Sequence, residues 1–227
     1  MGGSVPNGRF QENAVKDRRA FIRANTGLIA PPHVPEIELH LADEAHDLWH
    51  RTEAELEAIG LEPPFWAFAW AGGQGLARYV LDHPETVAGR RVVDFATGSG
   101  LVAIAAMKAG ALHVLASDID PFCAAAVALN AAANNIVVET SDRDLVGEKL
   151  DCDVLLAGDV FYDRSFADRL VPWLRELTMA GVTVLVGDPG RAYLPRERLA
   201  ALARYEVPVT RILEDAEVKR TTVWQFG

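Results

Sequence analysis

The sequence predicts an α/β fold: a doubly wound, mostly parallel seven-stranded sheet with an antiparallel C-terminal hairpin and an N-terminal helical cap. From residue 90 onward, strand-like and helix-like runs alternate along the chain. Such alternation implies crossover connections and a parallel sheet that is covered on both faces. The last two strand-like runs leave no room for a crossover helix, so they predict a hairpin that closes the sheet. Before residue 90, helical runs and a Pro-rich connector predict a cap and not a second sheet.

The individual elements follow from apolar runs that are separated by turn and cap residues. Five strands precede the hairpin: RRVVDF (90–95), HVLAS (113–117), IVVET (136–140), CDVLLAG (152–158) and VTVLVG (182–187). Helices are predicted at LVAIAAMKAG (101–110), PFCAAAVALNAAAN (121–134), RSFADRLVPWLREL (164–177) and PRERLAALAR (195–204). Asp120 followed by Pro121 marks a helix start, and the pair Asn134 and Asn135 marks a helix end. The hairpin strands are YEVPVTRIL (205–213) and KRTTVWQF (219–226).

Length and composition are typical of one domain with an N-terminal appendage. The 227 residues are predicted to divide into a flexible N-terminus at 1–20, the cap at 21–89 and the core at 90–227. A net charge of −10 argues against a nucleic-acid partner, because phosphate binding needs clustered Lys and Arg. No apolar stretch is long enough for a membrane span, and two cysteines without a pairing pattern fit a reducing cytoplasm. The oligomeric state stays open.

The run VVDFATGSG has the layout of a strand, a turn of small residues and a helix start. We expect Gly98 and Gly100 to let the backbone approach a ligand closely, next to the free N–H groups of a helix N-terminus. Dinucleotide, nucleotide and S-adenosylmethionine (SAM) folds all use such a turn, so it does not select among them. The full G-x-G-x-x-G fingerprint is absent, and no Gly-Lys-Ser/Thr follows.

Acidic residues at the ends of successive strands narrow the choice of ligand. Asp94 would repel a pyrophosphate but would tolerate the ammonium of a methionine moiety. Asp118 ends the second strand, where an open α/β sheet places an acid that binds the ribose hydroxyls. Asp142 or Asp144, after the third strand, is placed to accept from an adenine amino group. The alternative for each is a turn or a helix cap.

With this acid-Gly-x-Gly loop, the acid after strand two and the terminal hairpin, the chain resembles the seven-strand SAM-dependent methyltransferases. Ala96 departs from the family pattern, because it stands where a first glycine is usual. The resemblance implies SAM as cofactor and an extended set of cofactor residues. These are Trp70, Asp94, Ala96, Thr97, Gly98, Ser99, Gly100, Asp118, Ile119, Asp142, Asp144 and Gly158.

After the fourth strand, GDVFYD at 158–163 resembles the D/E-x-x-Y motif of protein-lysine methyltransferases, which also share the Trp70-Ala-Gly-Gly segment. From residue 21 to about 163, the chain resembles the bacterial electron-transfer-flavoprotein β-subunit lysine methyltransferases. The resemblance implies methyl transfer to lysine side chains of that subunit. Residues alone indicate a SAM-dependent N-methyltransferase of a basic substrate. The alternatives are a nicotinamide-type small-molecule N-methyltransferase and, in another class, a NAD-dependent oxidoreductase or an idle nucleotide-binding module.

The predicted catalytic residues are Asp159, which positions the substrate, and Tyr162, which walls a lysine channel. Trp66 belongs to the aromatic surround predicted to bind the substrate, and the alternative for this run is a core role. GDPGR at 187–191 is interpreted as a turn, with Asp188 or Arg191 as alternative substrate contacts. HDLWH at 46–50 lacks the Glu and the third ligand of a zinc protease, so we predict no metal site.

Overall fold

The computed structural model describes residues 17–43, 46, 48, 63–209 and 216–227. The α-helices with described bounds are α1 (Arg18–Asn25), α2 (Ala71–Asp82), α3 (Leu101–Lys108), α4 (Pro121–Ala133) and α5 (Arg164–Met179). The strands are β1 (Gly27–Ile29), β2 (Leu39–Leu41), β3 (Arg91–Phe95), β4 (His113–Ser117), β5 (Glu139–Ser141), β6 (Val154–Gly158), β7 (Thr183–Asp188), β8 (Leu199–Pro208) and β9 (Val218–Phe226). None of the described helices combines the length and apolarity that crossing a membrane requires.

Strands β3 to β9 form one seven-stranded sheet in the order β5-β4-β3-β6-β7-β9-β8. The first five strands of this order run parallel to one another. Strand β9 is antiparallel to both β7 and β8, so the C-terminal hairpin is built as predicted. The predicted fold class is therefore confirmed. Helix α4 also begins after Asp120, whose side chain caps it, and ends at Asn134 as predicted.

The predicted helix at 195–204 is wrong. A short 3-10 turn at Arg196–Arg198 leads directly into β8, which pairs with β9 along its whole length and has a bulge between Ala201 and Ala203. The Ala- and Leu-rich run favours a helix by local propensity, but pairing with a long neighbouring strand outweighs that weak preference. Strand β7 therefore connects to β8 without an α-helix, and β8 is the last strand in the order of the sheet.

The strands bury apolar side chains on both faces of the sheet. Val92, Leu156 and Leu185 point into one core, which they share with apolar residues of α2 and α3. Val93 and Leu155, each next to a residue of the first core, point into a second core with α5. Side chains along a strand alternate between faces, so a strand that is apolar at every position must be covered twice. This is the packing that the doubly wound prediction requires.

The cap packs on α4 and contains more than helices. Strands β1 and β2 form a small antiparallel sheet, which corrects the expectation of a cap without a second sheet. Helix α1 begins at Arg18, so ordered structure starts inside the stretch 1–20 that was predicted to be flexible. Residues 1–16 lie outside the described residues. An apolar cluster that includes Trp66 and Phe122 joins the cap to α4.

Helix α2 belongs to the sheet layer, although the predicted boundary at residue 89 assigned it to the cap. Leu76, Ala77 and Val80 of α2 are fully buried in the core that contains the strand residues. The amphipathic helix therefore covers β6, β7 and β9 directly. The packing ends the cap near residue 70, and the segment that precedes α2 is the connection between the two parts.

The first turn of α2 meets the carboxyl ends of β6 and β7 through glycines. A Cβ added to Gly72 would lie 2.3 Å from the carbonyl oxygen of Gly187, and a Cβ on Gly187 would lie 2.1 Å from that of Gly72. A Cβ on Gly158 would lie 2.9 Å from the Cα of Gly73. Real Cβ atoms do not approach backbone this closely. These glycines are therefore required for helix and strands to touch.

The prediction from this contact is a contrast between two adjacent glycines. Gly72→Ala must push the backbone of α2 off β7, so we expect a loss of about 3 kcal/mol in the free energy of unfolding. Gly73→Ala is the matched control, because its Cβ would meet only a Val102 methyl at 4.0 Å. We expect it to stay within about 1 kcal/mol of the parent protein. Urea denaturation of both variants measures the difference, and equal losses would contradict the prediction.

Candidate active site

The predicted site residues converge at the carboxyl edge of the sheet, where β3, β4 and β6 end. The chain leaves β3 toward β4 on one side, while β6 lies on its other side. An open α/β sheet forms a crevice at such a change of direction, and ligands bind there. The N-termini of α2 and α3 border the same crevice, which therefore combines loop backbone, helix ends and acidic side chains.

The loop after β3 has the backbone conformation that the small residues predicted. Gly98 and Gly100 have φ angles of +52° and +82°, and Ala96 has a φ of +53°. Ala96 thus occupies a left-handed position that favours glycine, at some cost in backbone strain. Gly100 has a further requirement beside the predicted one, since its Cβ would lie 2.9 Å from a Val127 methyl of α4. Its freedom from a side chain serves packing.

The buried side chain of Asp94 holds this loop in place. Its side chain is 1% exposed and accepts hydrogen bonds from the Thr97 hydroxyl at 2.5 Å and the Ala103 N–H at 2.9 Å. Burial raises the pKa of Asp94 to about 7, although these two hydrogen bonds favour the ionised form. Some of the acceptor positions of this carboxylate are therefore occupied by hydrogen bonds that hold the loop to α3. Its contact with a ligand ammonium stays a prediction.

Asp118 lies opposite the loop, at the end of β4. One carboxylate oxygen accepts from the Gly98 N–H at 3.0 Å, and the other accepts from the Asp120 N–H at 3.1 Å. The side chain is partly exposed, so further acceptor positions face the crevice. Ile119 beside it is 71% exposed, which gives the crevice an apolar ledge. This is the arrangement expected of an acid that binds a ribose next to a flat base.

The two acids after β5 are not equivalent. Asp144 accepts from Arg169 of α5 at 2.6 Å and from the Val146 N–H at 3.0 Å, and the bond from Arg169 lowers the pKa of Asp144. Asp144 therefore anchors its loop to α5. Asp142 is exposed and lies closer to the end of β5. The adenine contact by either acid stays a prediction.

Asp159 stands at the centre of the crevice in a strained backbone conformation. Its φ is +58°, which is uncommon for a residue with a side chain, although Asp tolerates it better than most. One carboxylate oxygen accepts from the Gly73 N–H at 2.9 Å. The other accepts from Arg191 Nε at 3.0 Å and from Arg191 Nη2 at 2.6 Å. The predicted positioning residue is thus itself held by two other segments of the chain.

Arg191 was named only as an alternative substrate contact, and the GDPGR turn places its side chain against Asp159. Asp188 is buried at the end of β7, and one of its oxygens accepts from the N–H groups of Gly190 and Arg191. This turn directs the Arg191 guanidinium over the Trp70 ring, 5.8 Å from its centroid. The sequence offered only an Asp-Pro-Gly-Arg turn at a strand end, and such a turn does not specifically indicate a functional arginine.

Three aromatic side chains close to the Asp159–Arg191 pair form a rim, here called the aromatic rim: Phe65, Trp70 and Tyr162. The Phe65 ring lies 5.8 Å from the Trp70 ring and 5.7 Å from the Tyr162 ring. Phe65 and Tyr162 are about half exposed, and the Trp70 indole donates to the Phe65 carbonyl at 3.1 Å. Burial, with the charge of Asp118 adding to it, raises the pKa of Tyr162. The rim is apolar, fixed and open to the solvent on one side.

Trp66 is not part of the aromatic rim, which corrects its predicted role in substrate binding. The side chain is 2% exposed and stacks on Phe122 of α4, with ring centroids 5.5 Å apart. The 3-10 turn at Phe65–Ala67 points adjacent side chains in different directions. It therefore sends Trp66 into the cap and Phe65 into the crevice.

A buried amide that the sequence analysis missed supports the glycine loop. Asn130 of α4 donates to the Ser99 carbonyl at 2.8 Å and accepts from the His40 N–H at 2.7 Å. It therefore ties the loop to the cap through one side chain. The signal was a single Asn inside an Ala-rich helical run. Ser99 itself is buried, so it contributes backbone to the site.

The site offers binding and positioning groups. The described residues contain no cluster of three or more His, Cys, Asp or Glu that could hold a metal ion. His46 contacts Asp43 at 2.7 Å, and His50 lies outside the described residues. The crevice can hold a nucleoside with a positive charge at its acidic side, and it can place a second group at the aromatic rim beside Asp159. This fits group transfer between two bound molecules.

Comparisons with known proteins agree with this geometry. The family model for ribosomal protein L11 methyltransferase (PrmA) matches residues 77–160. A solved structure of ribosomal protein L11 methylase from Lactobacillus delbrueckii subsp. bulgaricus has a TM-score of 0.51 and 23% identity, over 70% of this chain and 80% of that one. Magnesium protoporphyrin IX methyltransferase from Synechocystis PCC 6803, solved with bound SAM, has a TM-score of 0.53 and 14% identity, over 82% and 100% of the two chains. These structures share the fold.

Curated relatives are more specific. An electron transfer flavoprotein beta subunit lysine methyltransferase from Xenopus laevis is 39% identical over 215 residues, which cover 92% of this chain and 86% of that protein. The Homo sapiens protein of the same name is 34% identical over 236 residues, with 96% and 84% covered. The resemblance that the sequence motifs indicated is confirmed. The chain belongs to the family of the electron transfer flavoprotein beta subunit lysine methyltransferases.

Proposed function

We propose that this protein transfers methyl groups from SAM to lysine side chains of the electron transfer flavoprotein β subunit. The observation that carries the proposal is family membership over more than nine tenths of the chain, with relatives that are named for this substrate. The geometry of the crevice agrees, because it provides an acidic nucleoside site and, beside it, an apolar rim close to a fixed carboxylate. We further propose that the enzyme acts in the cytoplasm.

The residues of the crevice fit SAM. Gly98 has a φ of +52°, which places its backbone N–H toward Asp118 and leaves the loop without a side chain at this point. The Asp118 carboxylate suits the ribose hydroxyls, and the exposed Ile119 suits the adenine face. Asp94, whose pKa burial raises to about 7, is ionised in only part of the molecules at neutral pH, and a cationic ligand nearby would favour its ionised form whereas a diphosphate would not. When bound, SAM supplies a methyl group that a neutral amine can take in an in-line displacement.

The acceptor side of the crevice must present a lysine as a neutral amine. A free lysine has a pKa near 10.4, so only about one in 2,500 is neutral at pH 7. Phe65, Trp70 and Tyr162 form a wall that withdraws the amine from water, and desolvation favours its neutral form. Tyr162 keeps its phenol proton at neutral pH, because burial raises the pKa of its hydroxyl. The wall therefore adds no charge that would hold a proton on the lysine.

We predict that Asp118→Ala weakens SAM binding about 10- to 100-fold, because it removes charge-assisted hydrogen bonds to the ribose. Asp118→Asn keeps one acceptor, so its affinity for SAM should lie between those of Asp118→Ala and the parent protein. Isothermal titration with SAM measures both, and thermal unfolding checks that loss of the Gly98 contact has not disordered the loop. An unchanged affinity for SAM in a folded Asp118→Ala protein would contradict the assignment.

The substrate is tested with tritiated SAM and purified flavoprotein β subunit. We expect label in the subunit, and we expect Tyr162→Ala to lower kcat/KM at least about tenfold, because it opens the wall beside the amine. Tyr162→Phe is the matched control, since it keeps the ring and removes the hydroxyl. It should keep most of the activity.

The competing small-molecule function is tested in the same assay. Nicotinamide replaces the protein substrate in a parallel reaction, and a cell lysate is labelled in a third. Label in nicotinamide and none in the β subunit would replace the proposal with the nicotinamide-type alternative. Label in a lysate protein of a different size would keep lysine methylation and reject this substrate.

A further inference from the structure

Arg191 is held in the crevice by three independent contacts. Its backbone N–H donates to the buried side chain of Asp188. Its guanidinium donates twice to Asp159 and also lies over the Trp70 ring. Its side chain is 21% exposed and that of Asp159 is 10% exposed, so the pair is largely withdrawn from water. A long surface arginine that served solubility would not be fixed in this way. The arrangement is a built part of the site.

The ion pair bears on a difficulty in the proposed reaction. A carboxylate near the acceptor lysine would stabilise its charged ammonium and so raise its pKa, which is the opposite of what nucleophilic attack needs. Asp159 precedes Tyr162 by three residues. Its partner Arg191 lies over the Trp70 ring, so the carboxylate is close to the aromatic rim, where the amine is expected. Its charge is already balanced by Arg191, and its second oxygen is bound to the Gly73 N–H. The carboxylate can therefore accept a hydrogen bond from an amine without forming a new ion pair.

We propose that Arg191 is a positioning residue which neutralises Asp159 and places a fixed positive charge beside the acceptor lysine, so that the lysine loses its proton before the methyl transfer. The inference rests on the proposed function and deepens it. The lysine ammonium releases its proton to solvent, and the resulting lone pair forms the bond to the methyl carbon while the carbon–sulfur bond breaks. Asp159 takes no part in this proton transfer.

The other charges near the pair do not cancel this effect. Asp188 lies on β7, and one of its oxygens accepts from the backbone N–H groups of Gly190 and Arg191, which partly satisfies its negative charge. Arg196 lies on the following turn, and its guanidinium would be 3.4 Å from a Cβ on Gly190. It adds positive charge on the same side. On the opposite side, Tyr162 is neutral, and Asp118 lies beyond it at the end of β4.

The test separates charge from hydrogen bonding at one position. Arg191→Gln keeps a donor toward Asp159 and removes the charge, whereas Arg191→Lys keeps the charge and loses the two-pronged contact. Arg198→Gln, at an exposed arginine of the following 3-10 turn, is the control for general charge loss. The single-turnover rate of methyl transfer is measured from pH 6.5 to 10.5 with saturating SAM and flavoprotein β subunit. At saturation, the rising limb reports the pKa of the bound lysine.

For Arg191→Gln we expect the rising limb to move to higher pH by about one unit, because a like charge within a few ångströms is lost. The rate at pH 7 then falls about tenfold and recovers near pH 10. Arg191→Lys keeps the limb near that of the parent protein, and Arg198→Gln leaves the whole profile unchanged. Recovery at high pH is a result that a merely structural role would not produce.

Two outcomes would overturn the inference. A rate that falls equally at every pH would mean that Arg191 supports the fold of the site and does not influence the lysine proton. A faster rate, or a limb moved to lower pH, would mean that Arg191 competes with the lysine for Asp159. If the parent protein transfers no methyl group to the β subunit, the proposed substrate is rejected and the pH profile cannot be measured. The coupling between Arg191 and Asp159 is then tested by a second measurement that needs no substrate.

That measurement uses the free protein. Thermal unfolding of Arg191→Gln, Asp159→Asn and the double variant forms a double-mutant cycle. If the pair is coupled, the double variant should lose no more Tm than the worse of the two single variants. Fully additive losses would show that the two side chains do not act as a unit, and would reject the role assigned to Arg191.

Discussion

The site depends on direct backbone contact between the start of α2 and the ends of β6 and β7. Gly72, Gly158 and Gly187 make this contact possible, because a side chain at any of them would collide with backbone of the facing segment. The contact brings the Gly73 N–H within 2.9 Å of the Asp159 carboxylate and sets Trp70 at the mouth of the crevice. One packing constraint thus positions groups that lie almost ninety residues apart in the chain.

The same constraint accounts for the strained backbone at Asp159. The residue follows a glycine that cannot move away from α2, and its own N–H is bound to the Gly187 carbonyl at 2.9 Å. A left-handed conformation is the way to turn its side chain back toward α2 and Arg191. Hydrogen bonds from both segments compensate the strain, which is commonly stored at functional positions. Asp fits here because it tolerates this conformation and supplies two acceptors.

Much of the molecule could be predicted because its signals are local. Alternating apolar strands, the Asp120 cap and the acids at strand ends each follow from a few adjacent residues. The errors arise where a distant segment decides the outcome. Residues 199–204 become a strand because β9 pairs with them, and Trp66 turns inward because Phe122 is there to stack on. The ion pair of Arg191 could not be predicted, because its partner, Asp159, lies on another loop, 32 positions earlier.

The acidic side chains at the two ends of the crevice have different partners. This difference suits the two cations of the proposed reaction, the SAM sulfonium and the lysine ammonium. At the nucleoside end, the Asp118 carboxylate accepts from two backbone N–H groups. At the acceptor end, the charge of Asp159 is matched by Arg191. A sulfonium nucleoside must remain positive to react, so an uncompensated acid assists its binding. An amine must become neutral to react, so an uncompensated acid beside it would slow the reaction. The acidic edge of the sheet can serve both partners because the acid at the acceptor end is compensated by an arginine.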